Sequence, residues 1–489
     1  MEIRPSLTEA KQFAAQGYKT VPVSCEMYAD CITPIELLRK LKNVSSHVFL
    51  LESVEDSKQW GRYTFLGYDP KLELTCVDGT MTVTSGSSVR MQVNHPGEVI
   101  RQVAADNKSP QLDYLPTFTG GLVGYWAYDY IKYAEPSLNL DAVDTEGFKD
   151  IDLMLFDKVI VFDNCKQKIL LIVDADLGEG EAGYRKALRD LDEMERLLAD
   201  GEMAPDEPGH LTTPARELFD EATYGDMVRT AQAHIREGDI FQVVLSNRLE
   251  AGYEGTLLNA YRTLRTINPS PYLFYFTGTD VEVAGASPET LVKLENGILH
   301  TFPLAGTRPR GATPAEDAAV EADLLAHPKE LAEHNMLVDL GRNDLGRLSK
   351  FGTVEVEGLH EVLRYSHVIH IGSTVRGEIR DDLDALDCID AVLPAGTLSG
   401  APKLAACQLI NDLEGNKRGI YGGAVGYLSF TGDLDVCIGI RLAYKKNGRV
   451  FVRSGAGIVA DSVPEREYRE CINKAAAMVA ALDEAEGLR

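Results

Sequence analysis

Short runs in which hydrophobic and polar positions alternate fill much of roughly the first 200 residues of the chain. The runs SHVFLLES, KLELTCV, DKVIVFD and KILLIVD are bounded by turn residues, which is typical of β-strands. Because these runs follow one another closely, we expect the strands to pair antiparallel. The stretch GDIFQVVLS, residues 238–246, also has a period of two and predicts a half-buried strand. Gln242 lies where valine or threonine would suit this pattern, so its amide needs polar partners if it is buried.

Longer runs with a period near 3.6 predict α-helices. These runs span about 181–200, 221–237, 328–341 and 464–486. The stretch 201–216 is polar, contains three prolines and has no periodicity, so it predicts a linker. We therefore expect an N-terminal region at 1–205 and a C-terminal catalytic domain at 217–489, in which strands alternate with long helices.

Composition excludes several classes of protein. The 489 residues include 49 basic and 75 acidic side chains, for a net charge of −26, which argues against a nucleic-acid or anionic-membrane surface. No apolar run approaches the roughly 18 residues of a membrane span, and the N-terminus lacks an apolar signal-peptide core. We expect a cytoplasmic location. The eight cysteines contain no Cys-x-x-Cys pair, so we expect free, buried thiols.

Two predicted helices carry acidic residues that suggest a metal site. Glu333 shares one helical face with Met336, Leu337 and Leu340, where a carboxylate needs a partner or a metal ion. The alternative is a carboxylate that reaches solvent or a nearby arginine. Near the C-terminus, Glu470 lies beside an apolar stripe.

Lys474 follows Glu470 by four residues, so a surface ion pair is one explanation for this carboxylate. A second oxygen ligand is the other explanation. Two carboxylates from separate helices suit Mg²⁺, which keeps several waters and needs only one or two protein carboxylates.

Two further stretches suggest an anion pocket. Gly455 and Gly457 follow a strand pattern, and glycines allow backbone N–H groups to approach a carboxylate closely, although a bulge or turn is an alternative explanation. Arg441 interrupts the apolar run GIRLAY, which predicts a buried guanidinium paired with a planar anion. Together these residues predict a pocket for a small polyanion with one metal ion.

These stretches and several others carry a resemblance to a known family. They are GDIFQVVLSNR, NPSPYLFYF, GASPE, PLAGTRPRG, KELAEHNMLVDLGRNDLGR, YSHVIHIGS, PAGTLSGAPK, RGIYGGAVGY, CIGIR and GAGIVADSVPE, with LLES, WGRYTFLG and GGLVGYWAYD nearer the N-terminus. Their order across about 238–474 resembles that of the chorismate-utilising enzymes, and most closely that of the large subunits of anthranilate synthases. The resemblance implies an α+β fold in which antiparallel sheets pack together and are flanked by helices.

The resemblance also implies an activity. These enzymes aminate chorismate at ring C2 with ammonia, with loss of the 4-hydroxyl, and then release pyruvate to give anthranilate, the first step of tryptophan biosynthesis. A separate glutamine amidotransferase subunit, component II, supplies the ammonia, and we expect two large and two small subunits. We expect no glutaminase domain within this chain, since the sequence ends soon after the NKA motif.

Individual positions take roles from the same resemblance. Gln242 stands where water-adding relatives have a lysine, so it predicts the use of ammonia rather than water. Glu333 and Glu470 resemble the Mg²⁺ ligands, Glu289 the general acid that protonates the departing hydroxyl, and His370 the histidine near the reacting ring. His370 would otherwise be explained as a core histidine bonded to the backbone.

The remaining matched positions contact chorismate or the inhibitor in the family. The chorismate positions are Gly306, Thr307, Thr397, Tyr421, Arg441, Gly455, Ala456 and Gly457, of which we expect Thr397 to be catalytic. Feedback inhibition by tryptophan is expected at Glu52, Ser53, Pro271, Tyr272 and Leu273, although ordinary strand packing would also explain these residues.

Other functions remain open at this point. Aminodeoxychorismate synthases typically carry a nucleophilic lysine in PIKGTRPRG, where this chain has Ala305, and isochorismate synthases are disfavoured by Gln242. A catalytically silent subunit that only senses tryptophan would require the loss of pocket residues, and the sequence retains them.

Overall fold

The structure is a computed structural model that describes residues 2–53, 61–364 and 368–488. Its strands are β1 (Ile3–Arg4), β2 (Thr20–Tyr28), β3 (Val48–Glu52), β4 (Tyr63–Tyr68), β5 (Leu72–Val77), β6 (Thr80–Ser85), β7 (Ser87–Gln92), β8 (Gly121–Trp126), β9 (Ile151–Phe156), β10 (Lys158–Asp163), β11 (Lys168–Asp176), β12 (His210–Leu211), β13 (Arg216–Glu217), β14 (Gln242–Glu254), β15 (Tyr272–Thr277), β16 (Glu282–Ser287), β17 (Thr290–Glu295), β18 (Ile298–Thr301), β19 (Leu304–Pro309), β20 (Glu355–Arg364), β21 (Val368–Glu378), β22 (Gly400–Ala401), β23 (Ala424–Ser429), β24 (Leu434–Ile438), β25 (Leu442–Lys446) and β26 (Arg449–Ile458).

The α-helices are α1 (Leu7–Ala15), α2 (Pro34–Val44), α3 (Gly97–Asp106), α4 (Ile131–Ala134), α5 (Glu181–Asp200), α6 (Glu221–Glu237), α7 (Leu258–Ile267), α8 (Pro314–Ala326), α9 (Pro328–Gly346), α10 (Ala385–Val392), α11 (Lys403–Glu414) and α12 (Pro464–Glu484). The predicted helices at 181–200, 221–237, 328–341 and 464–486 correspond to α5, α6, α9 and α12.

Local capping explains why α6 agrees so closely with its prediction. Asp220 accepts a hydrogen bond from the Thr223 N–H at 2.8 Å and so satisfies one of the free donors of the first turn. At the other end Gly238 adopts a left-handed conformation with φ of 88°, which favours glycine and ends the helix before β14.

Two large antiparallel sheets form the body of the molecule. The first follows the order β1-β2-β11-β10-β4-β3-β15-β16-β25-β26-β14-β12, with β13 and β22 also paired to β14. The second follows the order β19-β21-β18-β17-β24-β23-β8-β9-β5-β6-β7, with β20 paired to β21. This architecture confirms the predicted α+β fold with antiparallel sheets.

An aromatic core joins the faces of the two sheets. Phe49 on β3 and Phe156 on β9 are fully buried, and their ring centroids lie 4.7 Å apart in an edge-to-face arrangement. Phe274 and Phe451 of the first sheet belong to the same buried cluster. Helices cover the outer faces, with α5 packed on β11, α12 on β26, and α9 on β19 and β21.

Both sheets run across the proposed boundary between residues 1–205 and 217–489. In the first sheet β3 pairs with β15, and in the second β8 pairs with β23. The predicted linker at 201–216 contributes β12 and the first residue of β13, and both strands pair with β14. The division into two regions therefore stays a prediction about chain organisation.

Two predictions about burial need correction. Val243, Val244 and Leu245 are all buried, so β14 is not half-buried, because α6, α11 and α12 pack against this interior strand. The preceding Phe241 is 76% exposed. All eight cysteines are free as predicted, but Cys31 and Cys165 are exposed.

No helix in the described part of the chain is both long enough and apolar enough to span a membrane.

Candidate active site

Gln242 begins β14 and lies over the glycine-containing end of β26. Its backbone pairs with Ala401, while the neighbouring Val244 lies opposite Gly457. A Cβ atom at Gly457 would lie 3.0 Å from Gln242 Nε2, so the absence of a side chain there lets the amide lie close against the strand. No group in residues 2–53, 61–364 or 368–488 hydrogen-bonds this amide. The half-buried Gln242 therefore has donors and an acceptor to offer a ligand.

The glycines of β26 keep regular strand pairing, so the alternative explanation as a bulge or turn is wrong. Gly455 lies opposite Ser246 and Ala456 opposite Leu245. A Cβ atom at Gly455 would lie 2.8 Å from the hydroxyl oxygen of Tyr421, so glycine makes room for this tyrosine. Burial raises the pKa of the Tyr421 hydroxyl, which therefore remains a proton donor near neutrality.

Glu289 lies between β16 and β17 and is half-buried. Burial raises the pKa of its carboxyl to about 7, against the opposing effects of a hydrogen bond from Thr397 and the charges of Arg441 and Lys474. The Thr397 hydroxyl donates to Glu289 Oε1 at 3.1 Å. Near neutral pH this carboxyl is therefore partly protonated and suited to general acid catalysis.

His370 lies on β21 and is oriented by the neighbouring strand. Its Nδ1 lies 3.1 Å from the Gly306 carbonyl oxygen, and because a carbonyl only accepts, the proton must be on Nδ1. Burial lowers the pKa of His370, and the charge of Arg441 acts in the same direction. The neutral imidazole therefore carries its lone pair on Nε2.

The strand that orients His370 depends on a left-handed glycine. Gly306 has φ of 62°, and a Cβ atom there would lie 2.8 Å from Leu324 Cδ1 and 3.1 Å from Glu330 Oε2. The backbone of the next residue, Thr307, pairs with His370.

Arg441 is not the buried guanidinium that the sequence predicts. The residue is exposed to solvent, although desolvation by the surrounding protein lowers the pKa of its guanidinium, and its φ of 50° places it at the bend between β24 and β25. Its Nη1 donates to Asn268 Oδ1 at 3.3 Å. The charge of Arg441 still acts on both Glu289 and His370, so its guanidinium lies near both of them.

The two predicted metal ligands lie on helices that cover different sheets. Glu333 is exposed on α9, which packs on the second sheet, and Glu470 is on α12, which packs on the first. The predicted apolar face of α9 is only partly buried: Met336 is 40% exposed and Leu337 and Leu340 are half-buried, while His334 and Val338 are buried. The histidine of this helix packs inward, where His334 Nε2 lies 2.6 Å from Ser373 Oγ.

The ion pair considered for Glu470 is present. Lys474 Nζ lies 2.7 Å from Glu470 Oε1 and also donates to the Gly455 carbonyl at 3.1 Å. Lys474 therefore connects α12 to the glycine strand of the site, a role that sequence reasoning missed although the i, i+4 spacing was visible.

Glu330 is a second residue that sequence reasoning missed. It lies on α9 one turn before Glu333, its Oε2 faces Gly306, and its Oε1 accepts from Arg308 Nη1 at 3.1 Å. In the sequence, only its spacing of three residues from Glu333, which places both on one side of a helix, indicates that the two residues are neighbours.

The oxygen donors of these helices are chemically suited to Mg²⁺, which binds carboxylates and retains waters. Within the described ranges, the only trio of His, Cys, Asp or Glu side chains close enough to share an ion is His234, Glu237 and Asp239, which does not include Glu333 or Glu470. A site with one or two protein carboxylates does not require such a trio, so the chemistry of these carboxylates, although not a shown geometry, is compatible with Mg²⁺.

The predicted inhibitor residues meet where the N-terminal and C-terminal parts of the first sheet join. Glu52 on β3 lies opposite Leu273 on β15. The Glu52 carboxylate accepts from the Tyr261 hydroxyl at 2.5 Å and pairs with Arg265 Nε at 2.6 Å. Ordinary packing therefore explains the buried carboxylate itself, while Ser53 is half-buried at the end of the strand.

The other two inhibitor positions lie at the start of β15. Pro271 and Tyr272 are half-buried, and the Tyr272 hydroxyl donates to Asp435 Oδ1 at 2.8 Å. Tyr272 also lies opposite Ser287, two residues before Glu289, so this region is connected directly to the candidate general acid.

Comparison with known proteins identifies the family. A family model described as chorismate binding enzyme matches residues 49–480 of the chain. The chain belongs to the chorismate binding enzyme family. Among its relatives in that family are two proteins named anthranilate synthase component 1. The protein from Acetivibrio thermocellus is 45% identical over 99% of both chains, and that from Acinetobacter calcoaceticus is 44% identical over 98% of both.

Solved structures agree with this assignment to the chorismate binding enzymes. Anthranilate synthase component I from Streptococcus pneumoniae TIGR4 superposes with a TM-score of 0.77 at 37% identity, covering 92% of this chain and 98% of that one. MenF, the menaquinone-specific isochorismate synthase from Escherichia coli, has a TM-score of 0.70 at 20% identity, covering 98% of this chain and 100% of that one, which shows the shared fold alone.

Proposed function

We propose that this chain is the chorismate-converting component of an anthranilate synthase. It adds ammonia to C2 of chorismate, expels the 4-hydroxyl and then eliminates pyruvate to leave anthranilate. Relatives named for this activity are 42–45% identical over nearly the whole of both chains.

The observation that carries the proposal is the open amide of Gln242 beside Gly457. Uncharged ammonia is already a nucleophile and needs orientation rather than a strong base. A neutral amide provides a hydrogen-bond acceptor for it, whereas a lysine ammonium at this position would repel ammonium and favour water. Gln242 therefore selects the nucleophile.

Proton transfer in the two steps is assigned to Glu289 and His370. Glu289, with a pKa raised to about 7 by burial, donates a proton to the departing 4-hydroxyl, and the Thr397 hydroxyl holds the carboxyl in place. His370 keeps a neutral imidazole with its proton on Nδ1, so its Nε2 serves proton transfer in the pyruvate-elimination step.

We assign the carboxylates of chorismate to an arginine, a tyrosine hydroxyl and backbone groups of the candidate site. Arg441 and the Tyr421 hydroxyl suit the enolpyruvyl carboxylate, and the backbone of Gly455, Ala456 and Gly457 forms the adjoining surface. Gly306 and Thr307 line the opposite strand beside His370.

Mg²⁺ is the proposed cofactor, with Glu333 and Glu470 as its protein ligands. When bound, the ion neutralises the ring carboxylate and draws electron density toward C1. Lys474 would compete with the ion for Glu470, because it already pairs with that carboxylate.

Regulation and assembly complete the proposal. Tryptophan inhibits by binding at Glu52, Ser53, Pro271, Tyr272 and Leu273, at the β3–β15 junction. A glutamine amidotransferase subunit, component II, delivers ammonia within a cytoplasmic complex of two large and two small subunits. The region 1–205 carries the inhibitor site, and 217–489 carries the chemistry.

Product analysis tests this function. The purified chain with chorismate, Mg²⁺ and ammonium should form fluorescent anthranilate and pyruvate in equal amounts. Aminodeoxychorismate without pyruvate, or isochorismate, would assign one of the other chorismate activities. Tryptophan binding without any product would identify a silent sensing subunit.

A further inference from the structure

A buried ionic cluster contacts β14, the strand of Gln242, and has no role in the proposed chemistry. Its members are Glu414 at the end of α11, Arg418 and Arg453, which are exposed by only 4%, 2% and 2%. Arg418 Nε donates to Glu414 Oε2 at 2.9 Å and Arg418 Nη2 to Oε1 at 2.5 Å, while Arg453 Nη1 donates to Oε2 at 3.3 Å. Charges buried this completely require compensation by specific partners.

The first connection runs to the strand of Gln242. Ser246 donates to Glu414 Oε1 from its backbone N–H at 2.8 Å and from its hydroxyl at 2.9 Å. Arg418 Nη2 also donates to the Val244 carbonyl at 2.7 Å. Both ends of the ion pair therefore hold the beginning of β14, two and four residues beyond Gln242.

The second connection runs to the segment that orients the candidate acid. Arg418 Nη1 donates to the Leu398 carbonyl at 2.7 Å. Leu398 follows Thr397, whose hydroxyl donates to Glu289. One planar guanidinium thus bridges β14 and the segment carrying Thr397, a geometry that a lysine ammonium does not reproduce.

The third connection runs to the ring of Tyr421. The Arg418 guanidinium carbon lies 5.6 Å from the centroid of this ring and 4.6 Å from that of Tyr128, so the cation contacts both aromatic faces. Tyr421 in turn presents its hydroxyl to Gly455.

We propose that Arg418 and Glu414 form a positioning unit that sets the separation between the ammonia-binding amide of Gln242 and the general acid Glu289. This inference rests on the proposed function. Neither residue touches the substrate. Arg418 acts through the Val244 and Leu398 carbonyls and Glu414 through Ser246, so the pair holds two segments that are far apart in the sequence in one geometry.

The test replaces Arg418 by lysine, which keeps the positive charge and removes the planar guanidinium that bridges the two segments. Arg248→Lys is the matched control, because Arg248 is also buried on β14, is ion-paired with Glu250, and makes no bond to Val244 or Leu398. For each variant, kcat, the KM for ammonia and the pH profile are measured, together with chorismate affinity by calorimetry.

Arg418→Lys should raise the KM for ammonia and lower kcat by about tenfold each, while chorismate affinity stays within about twofold of that of the unmodified chain. Loss of the Thr397 bond should raise the pKa of Glu289, because that bond lowers it, and so move the alkaline limb of kcat to higher pH. Arg248→Lys should leave the limb and the KM unchanged. The proposal would be overturned if Arg418→Lys lost activity only in proportion to its loss of folded protein, while the alkaline limb of kcat and the KM for ammonia stayed unchanged.

Hydrogen exchange gives a readout that does not depend on turnover. Arg418→Lys and Glu414→Gln should both accelerate amide exchange in 242–246 and 396–400, and Arg248→Lys should not accelerate it in 396–400. Unchanged exchange in both segments would reject the positioning unit even if the unmodified chain makes anthranilate. Accelerated exchange without anthranilate formation by the unmodified chain would reject the proposed function and retain the positioning unit.

Discussion

At the scale of single residues, the candidate site contains each protonation state that the proposed reaction needs near neutral pH. Burial brings the pKa of Glu289 to about 7 and lowers that of His370, while it raises that of Tyr421. The same physical cause therefore yields a proton donor, a neutral imidazole and a protonated phenol, because desolvation always penalises the charged form.

Gln242→Lys should lower ammonia-dependent anthranilate formation by about 100-fold, because an ammonium group replaces the neutral acceptor. It should also allow formation of some isochorismate. Gln232, whose amide bonds backbone carbonyls at 460 and 462, offers a control in Gln232→Lys. Turnover of Gln242→Lys with ammonia at the original rate would contradict the assignment of Gln242.

The pH dependence should report Glu289. With free ammonia held saturating, kcat should fall as pH rises through about 7, because the acid form of Glu289 is lost. Thr397→Val removes a bond that lowers this pKa, so the fall should move to higher pH. A limb that persists unchanged in Glu289→Gln would show that another group titrates.

At the scale of elements, α9 and α12 place acidic residues beside strands of two different sheets. On α9, Glu330 faces Gly306 while His334 and Val338 pack into the core. On α12, Lys474 bonds Gly455 and pairs with Glu470. The position of each carboxylate therefore depends on which helical face the sheets bury.

Alanine at Glu333 or Glu470 should weaken Mg²⁺ activation by at least about tenfold, with activity restored only partly by excess Mg²⁺. Chorismate affinity should fall as well, because the proposed ion would contact both substrate and protein. Glu465→Ala, in the exposed first turn of α12, is the control. Full activity of the unmodified chain in the presence of a metal chelator would contradict a magnesium requirement.

At the scale of the whole molecule, the two continuous sheets connect regions that are distant along the chain. The pairing of Glu52 with Leu273 joins β3 to β15, and Tyr272 lies opposite Ser287 close to Glu289. A ligand at this junction can shift the position of the acid only if it binds two arrangements with different affinity.

Tryptophan and chorismate should therefore weaken each other's binding by the same factor, about 5- to 150-fold for a typical coupling free energy. Calorimetric titration of tryptophan with and without chorismate measures this factor, and phenylalanine is the control ligand. Tight tryptophan binding that is indifferent to chorismate would show that the site is uncoupled.

The partner prediction also belongs to the whole molecule. The isolated chain should use ammonium only at high concentration, and glutamine alone should give no anthranilate. Addition of a glutaminase subunit should make glutamine effective near neutral pH, because ammonia released within a complex avoids dilution and protonation. A stable complex should bury roughly 1,200–2,000 Å². Anthranilate formation from glutamine by the pure chain would contradict the two-subunit proposal.

Several features of this protein were determined by the sequence itself, because they depend on local chemistry. Asp220 and Gly238 delimit α6 through a cap and a left-handed turn, and both signals lie within the segment. The family motifs likewise single out Gln242 and Glu289 as candidate site residues, since the identity of each residue and the order of the motifs suffice for that.

Only the tertiary structure decided which side of each element is buried and which distant groups meet. Arg441 lies in an apolar run yet is exposed, because the chain bends there, and α9 buries His334 rather than the face of Met336. Arg418 bonds the carbonyl of Val244, which is 174 residues away in the sequence, and the carbonyl of Leu398, which is 20 residues away. Such contacts depend on how sheets and helices pack around a shared core, and local periodicity does not contain that information.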